Sequence, residues 1–405
     1  MNPKIIALAM FAFTVGGIAL YPATQQPGAT GNPPVQPALH KPVFDPTARE
    51  RPKIEVVFAL DTTGSMGGLI QAAKEKIWSI ATTMAQAKPA PEIRIGLVAY
   101  RDRGDDYVTR VFDLSEDLDT LYATLMDFTA GGGGDEAESV NQALFDAVNK
   151  VSWSNDQSAY KVVFLVGDAP PHMDYQDDTK YPQTLATAKA RGIVVNTIQA
   201  GSRDNTRNVW IQIAQAGAGQ YAQVEQNGSA VAIATPFDER LATLSAELDE
   251  TRLYYGSAEE KAKRLMKQEA AKKLHETASV SARARRATFN ATDSGETNLL
   301  GEGELVEDVA SGRVDLDALP AAALPEPLKA MAPSEQKLVI EQTAKRRAEL
   351  RQRIGQLAAQ RADFLKAQVE ASGTADASLD NQLYDTIREQ AAGKGLRYDA
   401  DAPAY

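Results

Sequence analysis

The sequence predicts an α/β fold: a doubly wound, mostly parallel six-stranded sheet with one antiparallel edge strand, extended at its C-terminal side by α-helices. Three observations predict it. Short apolar runs rich in β-branched residues alternate with helical stretches from Ile54 onward, the pattern of consecutive strand–helix–strand units. Two of those runs are separated only by a tight RDRGDD turn, which suits antiparallel pairing at an edge. Beyond Thr235 the chain turns charged and alanine-rich, with helical rather than strand periodicity.

Before the sheet, Lys4 precedes an apolar run from Ile5 to Leu20, so residues 1–21 read as a signal peptide or N-terminal anchor. Gly17 and Ala19 form a small-x-small pair that fits cleavage after Ala19, and the run is nearly long enough to span a membrane. The expected location is therefore outside the cytoplasm: periplasmic or secreted, or held at the inner membrane by that segment. Residues 22–52 are a proline-rich linker. The chain has no cysteine, which excludes disulfides, thiol catalysis and a lipidated cysteine anchor.

Residues 53–235 carry the sheet. IEVVFAL is followed by a helix through Leu69 to Met84, the strand IRIGLVAY, and the edge strand YVTRVFDL. A helix near Leu118–Phe128, a glycine loop and a helix from Glu138 to Val151 lead to KVVFLVG and IVVNTIQA. A helix at Arg207–Ala216 and a strand around QYAQV complete the unit. Residues 236–290 read as one long basic helix with Pro236 in its first turn, and from Lys261 to Asn290 it holds nine lysines and arginines against two glutamates. That stretch is either a solvated helix face or, through Lys261 to Arg286, a contact with an anionic membrane surface. Residues 291–333 read as an irregular acidic linker, and residues 334–405 as a helical region. There Leu350, Ile354, Leu357 and Phe364 form a stripe suited to a hairpin or coiled-coil contact.

A net charge of -11 over 405 residues argues against nucleic acid as a partner of the whole chain, because phosphate contacts need a basic surface.

The chemistry concentrates at strand ends. Asp61-Thr62-Thr63-Gly64-Ser65 follows the first strand directly and places three oxygen ligands at two-residue steps where a helix begins. A hard cation such as Mg²⁺ takes octahedral oxygen coordination and keeps waters, so such a set suits it. If the first strand ends at an upper rim, IRIGLVAY and KVVFLVG end there too, delivering Asp102 and Asp168, and the loop Gly131 to Asp135 joins them. These residues resemble the von Willebrand factor A family, whose metal-ion-dependent adhesion site uses Asp-x-Ser-x-Ser, with Thr63 in place of the first serine. Asp61, Thr63 and Ser65 match the first motif, and Asp168 in VGD matches the later aspartate.

Where many members have Gly-Gly-Thr, this chain has GGGGDEAES, similar to a bacterial and hemicentin-like branch. Asp135 then replaces the missing threonine as ligand, ahead of Glu138. The resemblance implies Mg²⁺, or Mn²⁺ or Ca²⁺, with a vacant position completed by an Asp or Glu from a partner protein. Asp102, with Glu138, His172 and Asp174, reads as rim or supporting shell. His172 has no second histidine in the domain, so a multi-histidine zinc site is not available. The expected function is a metal-dependent protein-binding module used in adhesion or assembly, not an enzyme. The alternative is a scaffold acting through the C-terminal helices, with the α/β domain as support.

Overall fold

The computed structural model describes residues 51–226, 233–372 and 379–399. The expected signal segment and almost all of the proline-rich linker lie outside the described residues. Within them, no helix is long and apolar enough to cross a membrane.

The strands are β1 (Lys53–Asp61), β2 (Glu92–Tyr100), β3 (Thr109–Ser115), β4 (Tyr160–Gly167), β5 (Ile193–Ala200) and β6 (Ala218–Val224), forming one sheet in the order β3-β2-β1-β4-β5-β6. All neighbours pair parallel except β2 with β3, the antiparallel edge expected from the RDRGDD turn. β4 is buried along its whole length and β1 nearly so, as strands covered on both faces must be, whereas β3 is mostly part-exposed.

Helices α1 (Gly67–Ala85) and α2 (Leu118–Met126) cover one face, and α3 (Val140–Asn149), α4 (Tyr181–Ala190) and α5 (Asp204–Ala216) the other. Leu69, Ile70, Ile77, Trp78, Ala81 and Met84 recur at helical spacing and form the buried stripe of α1. Trp78 lies 5.7 Å from the ring of Tyr122 and 6.0 Å from that of Phe289. Phe289 belongs to the C-terminal region, so the two parts share a core.

That region departs from expectation. Instead of one long helix over 236–290 there are three: α6 (Asp238–Asp249), α7 (Ala258–Thr277) and α8 (Val280–Asn290). The breaks have local causes. Gly256 adopts a φ of +124°, which a residue with a Cβ rarely tolerates, and Ser257 then starts α7 with a reciprocal capping box to Glu260. Ser279 caps α8 by accepting from the Ala282 backbone N–H.

Residues 291–333, expected to be irregular, contain short helices α9 (Glu296–Leu300), α10 (Leu305–Ala310) and α11 (Glu326–Lys329). Leu305, Val306, Leu316, Leu324 and Leu328 form a small core with Ile340 of α12 (Pro333–Ser372). Elements of four to six residues are too short to show periodicity. The stripe on α12 is buried within the chain: Leu350, Ile354 and Leu357 pack on α6, α8 and α9. A last helix, α13 (Leu379–Ala392), buries Leu383, Ile387 and Ala391 in the core beside α1.

Candidate metal centre

The register places the site. Asp61, at the carboxyl end of β1, is level with Tyr100 of β2, while Leu60 is level with Val166 of β4, so the next residues, Gly167 and Asp168, emerge beside Asp61. A side chain on Gly167 would collide with the Tyr100 hydroxyl and lie 3.0 Å from the Asp61 Cβ; glycine is required by that close approach.

Asp61 has no exposed surface. Its Oδ1 accepts from the Thr63 backbone N–H (2.8 Å) and the Thr63 hydroxyl (2.7 Å), while its Oδ2 is buried without a hydrogen-bond partner. Burial, with the charge of Asp168 adding and the Thr63 bonds opposing, pushes its carboxyl up to about 7. Ser65 stands exposed in a 3₁₀ turn, Gly64–Met66, that leads into α1. Asp168 is buried; Gln226 donates to its Oδ2 at 2.7 Å and to the Ser65 carbonyl at 3.3 Å, tying the two loops together.

The glycine loop is clamped over this point. The Gly131 N–H donates to the Thr62 carbonyl (3.1 Å), the Gly64 N–H to the Gly132 carbonyl (3.3 Å), and the Gly133 N–H to the Asp105 carboxylate (3.0 Å). Gly132 and Gly133 adopt φ of +78° and +83°, conformations glycine supplies without strain. A Cβ on Gly133 would lie 3.7 Å from the Thr63 Cβ and 3.4 Å from Glu138 Oε1, so the hydroxyl motif and Glu138 face the same backbone.

Glu138 was expected to open a helix, yet α3 begins only at Val140. Its backbone pairs with the loop after β4: the Glu138 N–H donates to the Pro170 carbonyl and the His172 N–H to the Glu138 carbonyl. This short bridge holds Glu138 extended and brings its carboxylate to the rim. Oε2 is buried without a partner, and burial followed by the charges of Asp61, Asp102, Asp105 and Asp168 pushes the group up to about 9.

Residues 55–236 match the family model for the von Willebrand factor A domain. This segment is a von Willebrand factor A domain. Solved structures similar to it include proximal thread matrix protein 1 from the mussel byssus, at 16% identity over 44% of this chain and 43% of that one, with a TM-score of 0.35. The same mussel protein with a zinc-occupied MIDAS motif matches at 16% identity over 44% and 43%, TM-score 0.36, and the SpRpn10 VWA domain at 13% over 43% and 88%, TM-score 0.34. The chain spans less than half the length of the mussel protein. No curated protein matches it.

Within the A domain, Asp135 is placed beside His172. Its Oδ1 lies 3.4 Å from His172 Nε2, and its side chain is 64% exposed. Asp102 accepts from Ser139 Oγ (2.9 Å) and from the Tyr175 hydroxyl (2.9 Å), and its Oδ2 is 3.3 Å from His172 Nε2. His172 Nδ1 is 2.8 Å from Asp174 Oδ1. The expected site residues thus divide into two neighbouring groups: Asp61, Thr63, Ser65 and Asp168 with Glu138, and Asp102, Asp135 and His172 with Asp174.

Sequence reasoning passed over Gln226 and Tyr100, one in the loop after β6 and the other filling the space beneath Gly167. The basic stretch is largely engaged inside the chain. Lys261 donates to the Ala322 carbonyl, Arg264 to that of Tyr255, Lys267 pairs with Asp117, Lys273 with Asp127, Arg285 with Glu75 and Arg286 with Asp119.

Proposed function

We propose that the A domain is a divalent-cation-dependent protein-binding module, with Asp61, Thr63, Ser65 and Asp168 holding Mg²⁺, or Mn²⁺ or Ca²⁺, and Glu138 as the further acidic neighbour. The observation that carries this reading is the unpartnered, fully buried Oδ2 of Asp61, beside the equally unpartnered Oε2 of Glu138. Buried acidic oxygens without donors cost free energy unless a cation meets them. Hydroxyls from Thr63 and Ser65 add ligands without adding negative charge, which suits a hard cation that keeps an open position. When bound, the cation supplies an electrophilic point for a carboxylate of a partner protein.

A binding role is favoured over hydrolysis because His172, the base a metal hydrolase would recruit, is 5% exposed, stacked on Tyr175 at 4.0 Å and faced by three aspartates. The apolar run Ile5–Leu20 supports placing this module outside the cytoplasm. The scaffold alternative has less support: α8 and α13 complete the core around α1, so the helical region braces the A domain.

The test is calorimetric titration of Mg²⁺ into the purified chain beside its Asp61→Ala variant, followed by capture of binding proteins with and without chelator. Saturable binding lost in the variant, with chelator-sensitive capture, is the expected result; chelator-insensitive capture would overturn the reading.

A further inference from the structure

The second group at the rim has the features of a metal site in its own right. Among the described residues, Asp102, Asp135 and His172 form a set whose ligand atoms all lie within 4.8 Å of one another. His172 is 5% exposed, and its Nε2 is buried without a hydrogen-bond partner while pointing between Asp102 Oδ2 at 3.3 Å and Asp135 Oδ1 at 3.4 Å. Its other nitrogen, Nδ1, donates to Asp174 Oδ1 at 2.8 Å. That bond assigns the ring proton to Nδ1, so a neutral ring turns the Nε2 lone pair towards two carboxylate oxygens. Lone pairs converging on one point repel unless a proton on Nε2 or a metal ion sits among them.

The spacing suits one. Donors held about 2.0–2.2 Å from a tetrahedral ion lie roughly 3.4 Å apart, close to the two separations found here. The carboxylate–imidazole pairing of Asp174 with His172 is the arrangement that orients a metal-bound histidine. Asp102 is fixed by Ser139 and Tyr175, and the imidazole by stacking on Tyr175. The third donor, Asp135, is on the exposed side, where a water or another side chain has room to complete the sphere.

We propose that Asp102, Asp135 and His172 form a second cation site, separate from the oxygen-only set around Asp61, that takes a borderline transition metal such as Zn²⁺. An imidazole nitrogen with two carboxylates suits Zn²⁺, Co²⁺ or Ni²⁺, whereas Mg²⁺ prefers oxygen alone. The two sets meet in one loop, since Asp135 and Glu138 are three residues apart. Filling the nitrogen-bearing site therefore steadies the loop that also carries Glu138.

The full chain is titrated calorimetrically with Zn²⁺ in saturating Mg²⁺, and separately with Co²⁺ followed by visible absorption. One equivalent of Zn²⁺ that excess Mg²⁺ does not displace, weakened at least tenfold by His172→Gln, is the expected result. Asp135→Asn, at an exposed position that does not threaten folding, should weaken it comparably. Zn²⁺ binding unchanged in both variants, or displaced by Mg²⁺ and so located at the oxygen set, overturns the proposal. So does no Zn²⁺ binding at all, which would leave His172 as an imidazolium paired to its aspartates.

Discussion

Two sets of buried carboxylates in this molecule have been treated in opposite ways. Within the helical region and where it meets the A domain, Asp119, Asp238, Asp249 and Glu304 each have an arginine. Arg286 forms a double hydrogen bond with Asp119, both atoms pairs at 2.6 Å, and also reaches Asp249. Arg347 clasps Glu304 and Arg361 meets Asp238 at 2.7 Å. At the rim, Asp61 and Glu138 are just as buried and have no cationic side chain paired to them among the described residues. Burial alone would raise Asp119, but the charge and hydrogen bonds of Arg286 hold it below the usual range, while Asp61 and Glu138 rise. The same cost of burial is offset internally in one place and left open in the other. The open place is where the proposed cation would sit.

The sharpest way to break this contrast is to unpair the interface. Arg286→Ala should destabilise the chain by about 3–5 kcal/mol, because Asp119 would remain charged and buried without its partner. Denaturant unfolding measures it, and a loss under about 1 kcal/mol would show that apolar packing alone holds the interface.

At the rim the expected pH dependence has the opposite sign to that of a salt-bridged acid. Asp61 is raised from 3.8 to about 7, so without metal the folded chain holds a proton that the unfolded chain has released. Stability should therefore be fully present below about pH 4 and fall by on the order of a few kcal/mol as pH rises towards 7. Asp61→Asn should flatten that part of the slope in unfolding curves recorded in chelator at pH 5 and pH 8.

Mg²⁺ should reverse the loss. At about 100 times its Kd it adds about 2.7 kcal/mol. The gain should be larger at pH 8 than at pH 5, where protons compete, and absent in Asp61→Asn. Thermal unfolding with Mg²⁺ or chelator reads this directly. The smallest effect is expected from Gln226→Ala, which removes the amide that orients Asp168: calorimetry should show roughly tenfold weaker Mg²⁺ binding with little change in stability.

The contrast also explains what was legible in advance. The sheet was readable because its four central strands are largely apolar runs and the antiparallel turn is short. The placement of Asp61, Thr63, Ser65 and Asp168 at one rim was readable because they adjoin strand ends. Glu138 was misplaced into a helix because its position depends on a bridge to the loop around Pro171, a pairing without local signal. The nearness of Asp135 to His172 was not readable for the same reason: the course of the glycine loop is set by contacts with Asp105 and Thr62 that spacing does not reveal. In the helical region the break at Gly256 and the Ser257-x-x-Glu260 capping box were present in the sequence. The pairing of Arg286 with Asp119, 167 positions apart, was not.

One feature at the opposite pole bears on how the domain carries force. Arg51 donates to the carbonyls of Ala90 and Pro91, and Lys88 exchanges backbone hydrogen bonds with Arg397, all at the foot of β2. Arg51 and Arg397 are thus both fastened beneath the sheet. Tension applied between them would be borne by those bonds at the foot, and the rim loops with their buried acids would stay outside the load path.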